Sequence, residues 1–197
     1  MSINKIYFMK FEKHEIIIEN QKYSAEVTIP EQTDIDDIIL MYELWSELSE
    51  LLTNYRCRRV NIPEFTELLF CLVNNCWRFN NVKGFKNAHT SFDCYNPKTY
   101  KTIQIKSASI GKDLTSFGPK STWDELYFMD FYCDEEYNGS FEIYYIPDKY
   151  IYKQSVNKNQ TMEDQQTQNR RPRFSIKDKI ITPNQLKPIA KYNIYEL

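Results

Sequence analysis

Asp93, Gln104 and Lys106 are the residues whose types and spacing most suggest chemistry in this 197-residue chain. Asp93 lies in the apolar run Ser91-Phe92-Asp93-Cys94-Tyr95, and Gln104 and Lys106 follow in Thr102-Ile103-Gln104-Ile105-Lys106-Ser107. Both runs read as strands, with Asn96-Pro97 as the turn between them. A loop of Pro97 to Tyr100 sets Asn96 opposite Lys101 and Asp93 opposite Gln104. Opposed residues share a face of a sheet, and the period of two brings Lys106 to that face as well. Ile103 and Ile105 then turn into a core. A slip of one residue in register would scatter the trio.

A carboxylate, an amide and an ammonium on one face suit phosphodiester hydrolysis. Asp93 would offer oxygen to Mg2+, a hard cation that takes few protein ligands and keeps several waters. The metal polarises the phosphate and acidifies water. Lys106 would orient or help deprotonate that water and offset the charge that develops on the phosphate. Gln104 is the irregular member, because an amide oxygen is a weaker Mg2+ ligand than a carboxylate, so a compensating acid is expected. Glu64 and Glu67, three apart at a helix start, are the candidates. Glu64 can instead close a capping box with Asn61. Glu67 has no such role among Leu68, Leu69 and Phe70 and is the preferred acid. On spacing alone, an ordinary surface hairpin fits the same trio.

These groups need elements to position them. The chain reads as a single domain over 1–197 of α/β (α+β) class, with helices over 33–55 and 61–79, a catalytic sheet over 90–146, an exposed loop over 154–168 and a basic C-terminal element over 170–197. The N-terminal runs Ile6 to Phe11 and Ile16 to Ile29 read as strands or irregular structure. In the first helix Thr33 and Asp36 form a capping pair, and Ile35, Ile38, Ile39, Tyr42, Trp45, Leu48, Leu51 and Leu52 follow helical spacing. In the second, Asn61 is the N-cap, Pro63 lies in the first turn, and Phe65, Leu68, Leu69, Leu72, Val73 and Cys76 face inward. Strands are expected over Thr90 to Tyr95, Tyr100 to Ser109, Glu125 to Tyr132 and Phe141 to Ile146. The Gln/Asn-rich stretch Gln154 to Gln168 has few apolar anchors and reads as loop.

Net charge is −2, yet Tyr150 to Leu197 carries nine Lys/Arg against four Asp/Glu, so the remainder is acidic. A basic end on an acidic body fits a DNA-contacting face beside a carboxylate metal site, as it also fits a solvated surface. Five cysteines without Cys-x-x-Cys spacing argue against zinc or a disulfide framework and suggest reduced, semi-buried residues. The absence of a membrane-length apolar run or signal-peptide core leads us to expect a soluble, cytoplasmic protein. His14 and His89 have no partner in sequence and read as incidental.

The wording around the trio adds a resemblance. Ser91-Phe92-Asp93, Ile103-Gln104-Ile105-Lys106-Ser107-Ala108-Ser109, Thr115-Ser116-Phe117-Gly118-Pro119 and Trp123-Asp124-Glu125-Leu126-Tyr127-Phe128 resemble small type II restriction endonucleases of the PD-(D/E)XK superfamily. Arg59-Val60-Asn61-Ile62-Pro63-Glu64-Phe65-Thr66-Glu67 is similar to the opening of their first conserved helix, and Arg170-Arg171-Pro172-Arg173-Phe174-Ser175-Ile176 to a late basic motif. The group it most resembles is the small family that cuts GCNGC-type sites. Phe92 stands where proline often precedes the aspartate, and Gln104 stands for Asp or Glu.

That resemblance implies a mixed sheet flanked by helices and Mg2+-dependent double-strand cleavage at a short palindrome. It implies a homodimer, because a palindrome needs two sites related by two-fold symmetry. A DNA methyltransferase is the functional partner, not necessarily a physical one. Arg170, Arg171 and Arg173 are the candidates for reading base edges. Ser107, Ser109, Ser116 and Lys120 are candidates for phosphate contacts, with Arg56, Arg58 and Arg59 at the helix entrance. Each has a plain alternative as solvated surface or loop. Three other readings stay open: a repair or recombination nuclease of the same fold, a non-catalytic DNA-binding module, and a protein-interaction domain.

Overall fold

The computed structural model describes residues 11–84 and 91–197. Of the expected features, Ile6 to Lys10, His89 and Thr90 lie outside the described residues. The chain opens with a hairpin, β1 (Glu12–Ile18) and β2 (Gln21–Thr28), paired from Glu12↔Val27 to Ile18↔Gln21. Glu19 and Asn20 make its turn, both at positive φ, as two-residue hairpin loops require.

A single 3-10 turn, Gln32–Asp34, leads into α1 (Ile35–Asn54). The capping pair is Glu31/Asp34, two residues before the Thr33/Asp36 pair expected. Glu31 is extended and its N–H donates to the Asp34 carboxylate at 2.8 Å. The buried row of α1 is Ile38, Tyr42, Trp45 and Ser49. Leu48 and Leu51, expected inside, are exposed. The apolar positions cover more of the helix circumference than the rest of the chain overlays.

The second helix is shorter than the 61–79 expected. α2 runs Phe65–Asn74, its N-cap position is Glu64 and not Asn61, and Glu64 makes no capping bond. Asn75 adopts left-handed backbone, φ 53°, and ends the helix. The β-prone residues beyond it form β3 (Trp77–Lys83), which pairs with both β2 and β4 (Cys94–Asn96). β4 is shorter than the strand expected from Thr90.

β4 and β5 (Lys101–Ala108) pair as Asn96↔Lys101, Tyr95↔Thr102 and Cys94↔Ile103, the register expected from the loop length. The chain then forms the two-residue β6 (Thr115–Ser116) and crosses to β7 (Glu125–Asp130), parallel to β5 with Gln104 beside Leu126 and Lys106 beside Phe128. β8 (Ser140–Tyr145) pairs antiparallel with β7.

The stretch expected as an exposed loop over 154–168 is ordered. It holds the hairpin β9 (Ser155–Asn157) and β10 (Gln160–Thr161), then α3 (Met162–Thr167). Thr161 and Asp164 close a capping box, with Met162 and Gln165 buried. Local side-chain bonds do here what apolar periodicity does elsewhere, so a hydrophobicity reading misses it. β11 (Arg173–Phe174) pairs with β6, and β12 (Ala190–Asn193) pairs with β8.

The described strands make an eight-stranded mixed sheet, order β1-β2-β3-β4-β5-β7-β8-β12, and the fold is mixed α/β with helices flanking that sheet. α1 and α2 cover one face, over Ile103, Ile105, Met129 and Ile143. The other face packs Leu126 and Phe128 against Phe117, Trp123, Met162, Phe174 and Ile176. Each face therefore buries alternate residues of β5 and β7, as a central strand covered on both sides must. All five cysteines are free thiols: Cys71, Cys76 and Cys94 are buried, but Cys57 is exposed. Among the described residues no helix is long and apolar enough to cross a membrane.

Candidate active site

Asp93 sits immediately before β4, between β3 and β5. Its N–H donates to Ile103 O at 2.8 Å and its carbonyl accepts from Phe79 N at 2.9 Å, so both neighbouring strands fix its backbone. Its carboxylate reaches the next strand. Ile105 N–H donates to Oδ2 at 2.8 Å, and Gln104 Nε2 donates to the same oxygen. Burial pushes the Asp93 carboxyl up, opposed first by the charge of Lys106 and then by these hydrogen bonds. Gln104 is 3% exposed and turns its amide N–H, not its oxygen, toward Asp93. In this arrangement it orients the aspartate. Lys106 is half-buried, its ammonium 5.7 Å from the centre of the Phe117 ring.

Glu67 joins from the first turn of α2. Burial and the charge of Asp93 push its carboxyl up to about 8, against the pull of Arg78. A carboxyl raised by burial and by a neighbouring aspartate lies in a place short of positive charge. Arg78 of β3 supplies some of it. Its Nε donates to Glu67 Oε2 at 2.7 Å, its Nη2 to Glu64 Oε2 at 2.5 Å and its Nη1 to Asn80 Oδ1 at 3.2 Å. Asn80 falls at a break in the β2–β3 register, which passes from Glu26↔Asn81 to Val27↔Phe79, and donates to Thr28 Oγ1. Such bulges re-aim side chains beside functional sites. Asp93, Glu67, Glu64, Arg78, Asn80 and Glu26 line a cleft of about 370 Å³.

The two acids kept open by the sequence are therefore distinct. Glu67 is enclosed and feels Asp93; the Glu64 side chain is 77% exposed and meets only Arg78. The capping bond that offered Glu64 a plain role is absent. Among the described residues no group of three or more His, Cys, Asp or Glu is placed as a complete metal cage. A hard-oxygen pair still fits Mg2+, which keeps most of its waters.

The expected DNA contacts divide. Arg170, Arg171 and Arg173 are exposed, and Arg173 pairs with Ser116 across β11 and β6. This segment lies next to the Lys106 side of β5: Phe117 N–H donates to Pro172 O at 3.0 Å, its ring stacks on Phe174 at 5.4 Å, and its face carries Lys106. Lys120 is exposed, and its carbonyl accepts from Ser91 Oγ at 3.4 Å, two residues from Asp93. Ser107 is half-buried on β5. Ser109 is buried, and the Ser116 hydroxyl is closed off from solvent, so neither meets a phosphate in this arrangement. Arg59 is turned inward, donating to Thr53 Oγ1 at 3.1 Å and to Tyr137 OH at 2.6 Å; Arg58 is exposed. Sequence reading missed Arg78 and Asn80, because the start of β3 was taken for the end of a helix, and Glu26, which stands on the expected N-terminal strand with nothing in its spacing to mark it. The one signal was Arg78-x-Asn80 spaced for one side of a strand.

An enclosed aspartate, a helix-borne glutamate and a strand lysine beside a basic segment, set on a mixed sheet, are consistent with a PD-(D/E)XK-like nuclease. The chain belongs to the Bsp6I restriction endonuclease family, which matches residues 30–183. It is a type II restriction endonuclease, a deoxyribonuclease that cuts at specific sites. The type II restriction enzyme Bsp6I of Bacillus sp. (strain RFL6) is 37% identical over 169 residues, covering 83% of this chain and 90% of that protein. No solved structure matches the chain.

Proposed function

We propose that this enzyme makes double-strand breaks in DNA at a short palindrome of the GCNGC type, using Mg2+ held by Asp93 and Glu67. What supports this reading above all is Asp93, fixed by two strands and bonded by Gln104 and Ile105 N–H, in a cleft that Glu67 also lines and within reach of the charge of Lys106. When bound, the cation supplies Lewis acidity to the scissile phosphate and acidifies water beside it. Gln104 holds Asp93 in place and offers its oxygen as a further ligand if the amide turns over. Lys106 orients the attacking water and offsets the charge gathering on the phosphate. Arg78 positions Glu67, and Glu64 holds the other end of the guanidinium.

Arg170, Arg171 and Arg173 read base edges, Lys120 and Ser107 contact phosphates, and Arg58 contributes at the periphery. The whole chain acts as one nuclease unit, and two copies act on the two strands. A methyltransferase of the same specificity protects the host DNA, in the cytoplasm where both work.

Supercoiled plasmid incubated with Mg2+ tests the reading. Discrete fragments that vanish with EDTA, and with Lys106→Ala while the gel shift persists, are expected. Normal cutting by Lys106→Ala would overturn the mechanism. Smearing would mark a nuclease without site specificity. Intact plasmid with a retained shift would mark a DNA-binding protein.

A further inference from the structure

The side of α1 that the described residues leave uncovered carries an apolar row, flanked by exposed Glu47 and Glu50. Leu40, Leu44 and Leu48 follow at four-residue intervals, and Leu51 and Tyr55 continue the row. They are 49%, 59%, 44%, 54% and 75% exposed. The buried row Ile38, Tyr42, Trp45 and Ser49 already anchors the helix, and the leucines lie outside the core cluster. A continuous exposed apolar stripe marks a contact surface.

Charge decides what covers it. α1 carries Asp36, Asp37, Glu43, Glu47 and Glu50 and no Lys or Arg. It would be repelled by nucleic acid or an anionic lipid surface. Just past its end come Arg56 and Arg58, both exposed. In an antiparallel pair of two such helices about a two-fold axis, centred between Leu44 and Leu51, the leucines interleave. The acidic first turn of each helix then meets the basic turn after the other. The opposed helix dipoles add to this match. A parallel pair would set acid on acid along the whole seam.

We propose that the exposed leucine row of α1 is the seam of an antiparallel, two-fold homodimer of this enzyme. This rests on the reading that two copies act at a palindrome, and it names the surface that joins them. A lone helix pair is small against the roughly 800 Å² per partner of a standard interface, so the dimer is expected to be reversible.

Sedimentation equilibrium of the full chain tests it, with cleavage assayed separately. The wild type should approach twice 23.7 kDa as concentration rises. Leu44→Glu with Leu51→Glu should weaken association by roughly 100-fold or more, since buried unpaired charge is costly. Both positions are exposed in the monomer, so far-UV circular dichroism should be unchanged. Arg56→Glu should weaken the dimer roughly tenfold, and adding Asp36→Lys should restore it. A wild type that stays monomeric with and without DNA overturns the proposal, as does a leucine double variant that dimerises normally. Failure of the wild type to cut DNA, with these mass shifts intact, would sink the nuclease site reading and leave the seam standing.

Discussion

Glu67 and Glu64 share one guanidinium, yet their surroundings assign them different weights. Glu67→Gln should lower cleavage by about 100-fold or more, because in the proposed site it removes one of the two carboxylates that hold the metal. Glu64→Gln should cost less than about tenfold, because that carboxylate meets solvent and Arg78 only. Steady-state cleavage of a single-site plasmid separates the two. Arg78→Met should weaken binding of Mn2+, measured by calorimetry without DNA, about 10- to 100-fold, the usual loss when the partner of a metal-linked carboxylate is removed. Asp93 and Gln104 could be named from spacing because a hairpin with a fixed loop length fixes which residues face each other. Arg78 could not, since the residue it serves lies on a helix and only packing brings β3 beneath that helix.

The same site gives the chain a pH dependence at residue scale. Glu67 holds its proton in the folded protein up to about 8, whereas an ordinary glutamate loses it near 4.5. The folded state therefore binds more protons than the unfolded chain across that window. Stability from this group is fully present below about 4.5 and is lost as pH rises toward about 8. The melting temperature of the metal-free enzyme should fall over this range, and the gain produced by Mg2+ should grow. A melting temperature that rises steadily to pH 8 without metal would contradict the assigned environment of Glu67.

Among the elements, α3 and its hairpin depend on bonds and not on apolar mass. Thr161 Oγ1 accepts from Asp164 N at 3.2 Å, and Thr161 N donates back to the Asp164 carboxylate at 2.8 Å. Thr161→Ala should cost about 1 kcal/mol of folding stability, read as a lowered urea midpoint with unchanged slope. α1 and α2 behave in the opposite way. Leu69, wholly buried under the sheet, should cost about 2–5 kcal/mol on truncation to alanine. The elements legible in the sequence were those with a strong period, α1, the centre of α2, β5, β7 and β8. The boundaries that failed were set by single residues. Asn75 in left-handed backbone ended α2 early, and the polar turn at Thr161 built structure where hydrophobicity suggested none.

At the scale of the molecule, Cys71 and Cys94 lie 3.2 Å apart, sulfur to sulfur, beneath the site, joining α2 to β4. Burial pushes the Cys94 thiol well up, and pushes Cys76 up to about 12. Neither should react with iodoacetamide in the native state, whereas exposed Cys57 should be modified first. Mass spectrometry of the alkylated protein checks this. The sequence by itself determined the hairpin register from Asn96 to Lys101 and the class of enzyme. The register depends on loop length and side-chain alternation, which are local. Tertiary structure alone decided which of two glutamates is enclosed near Asp93, that Arg78 sits between them, and that the Leu40, Leu44, Leu48 and Leu51 row of α1 stays exposed. Those depend on how α1, α2 and the sheet lie against one another, which no residue spacing along the chain encodes.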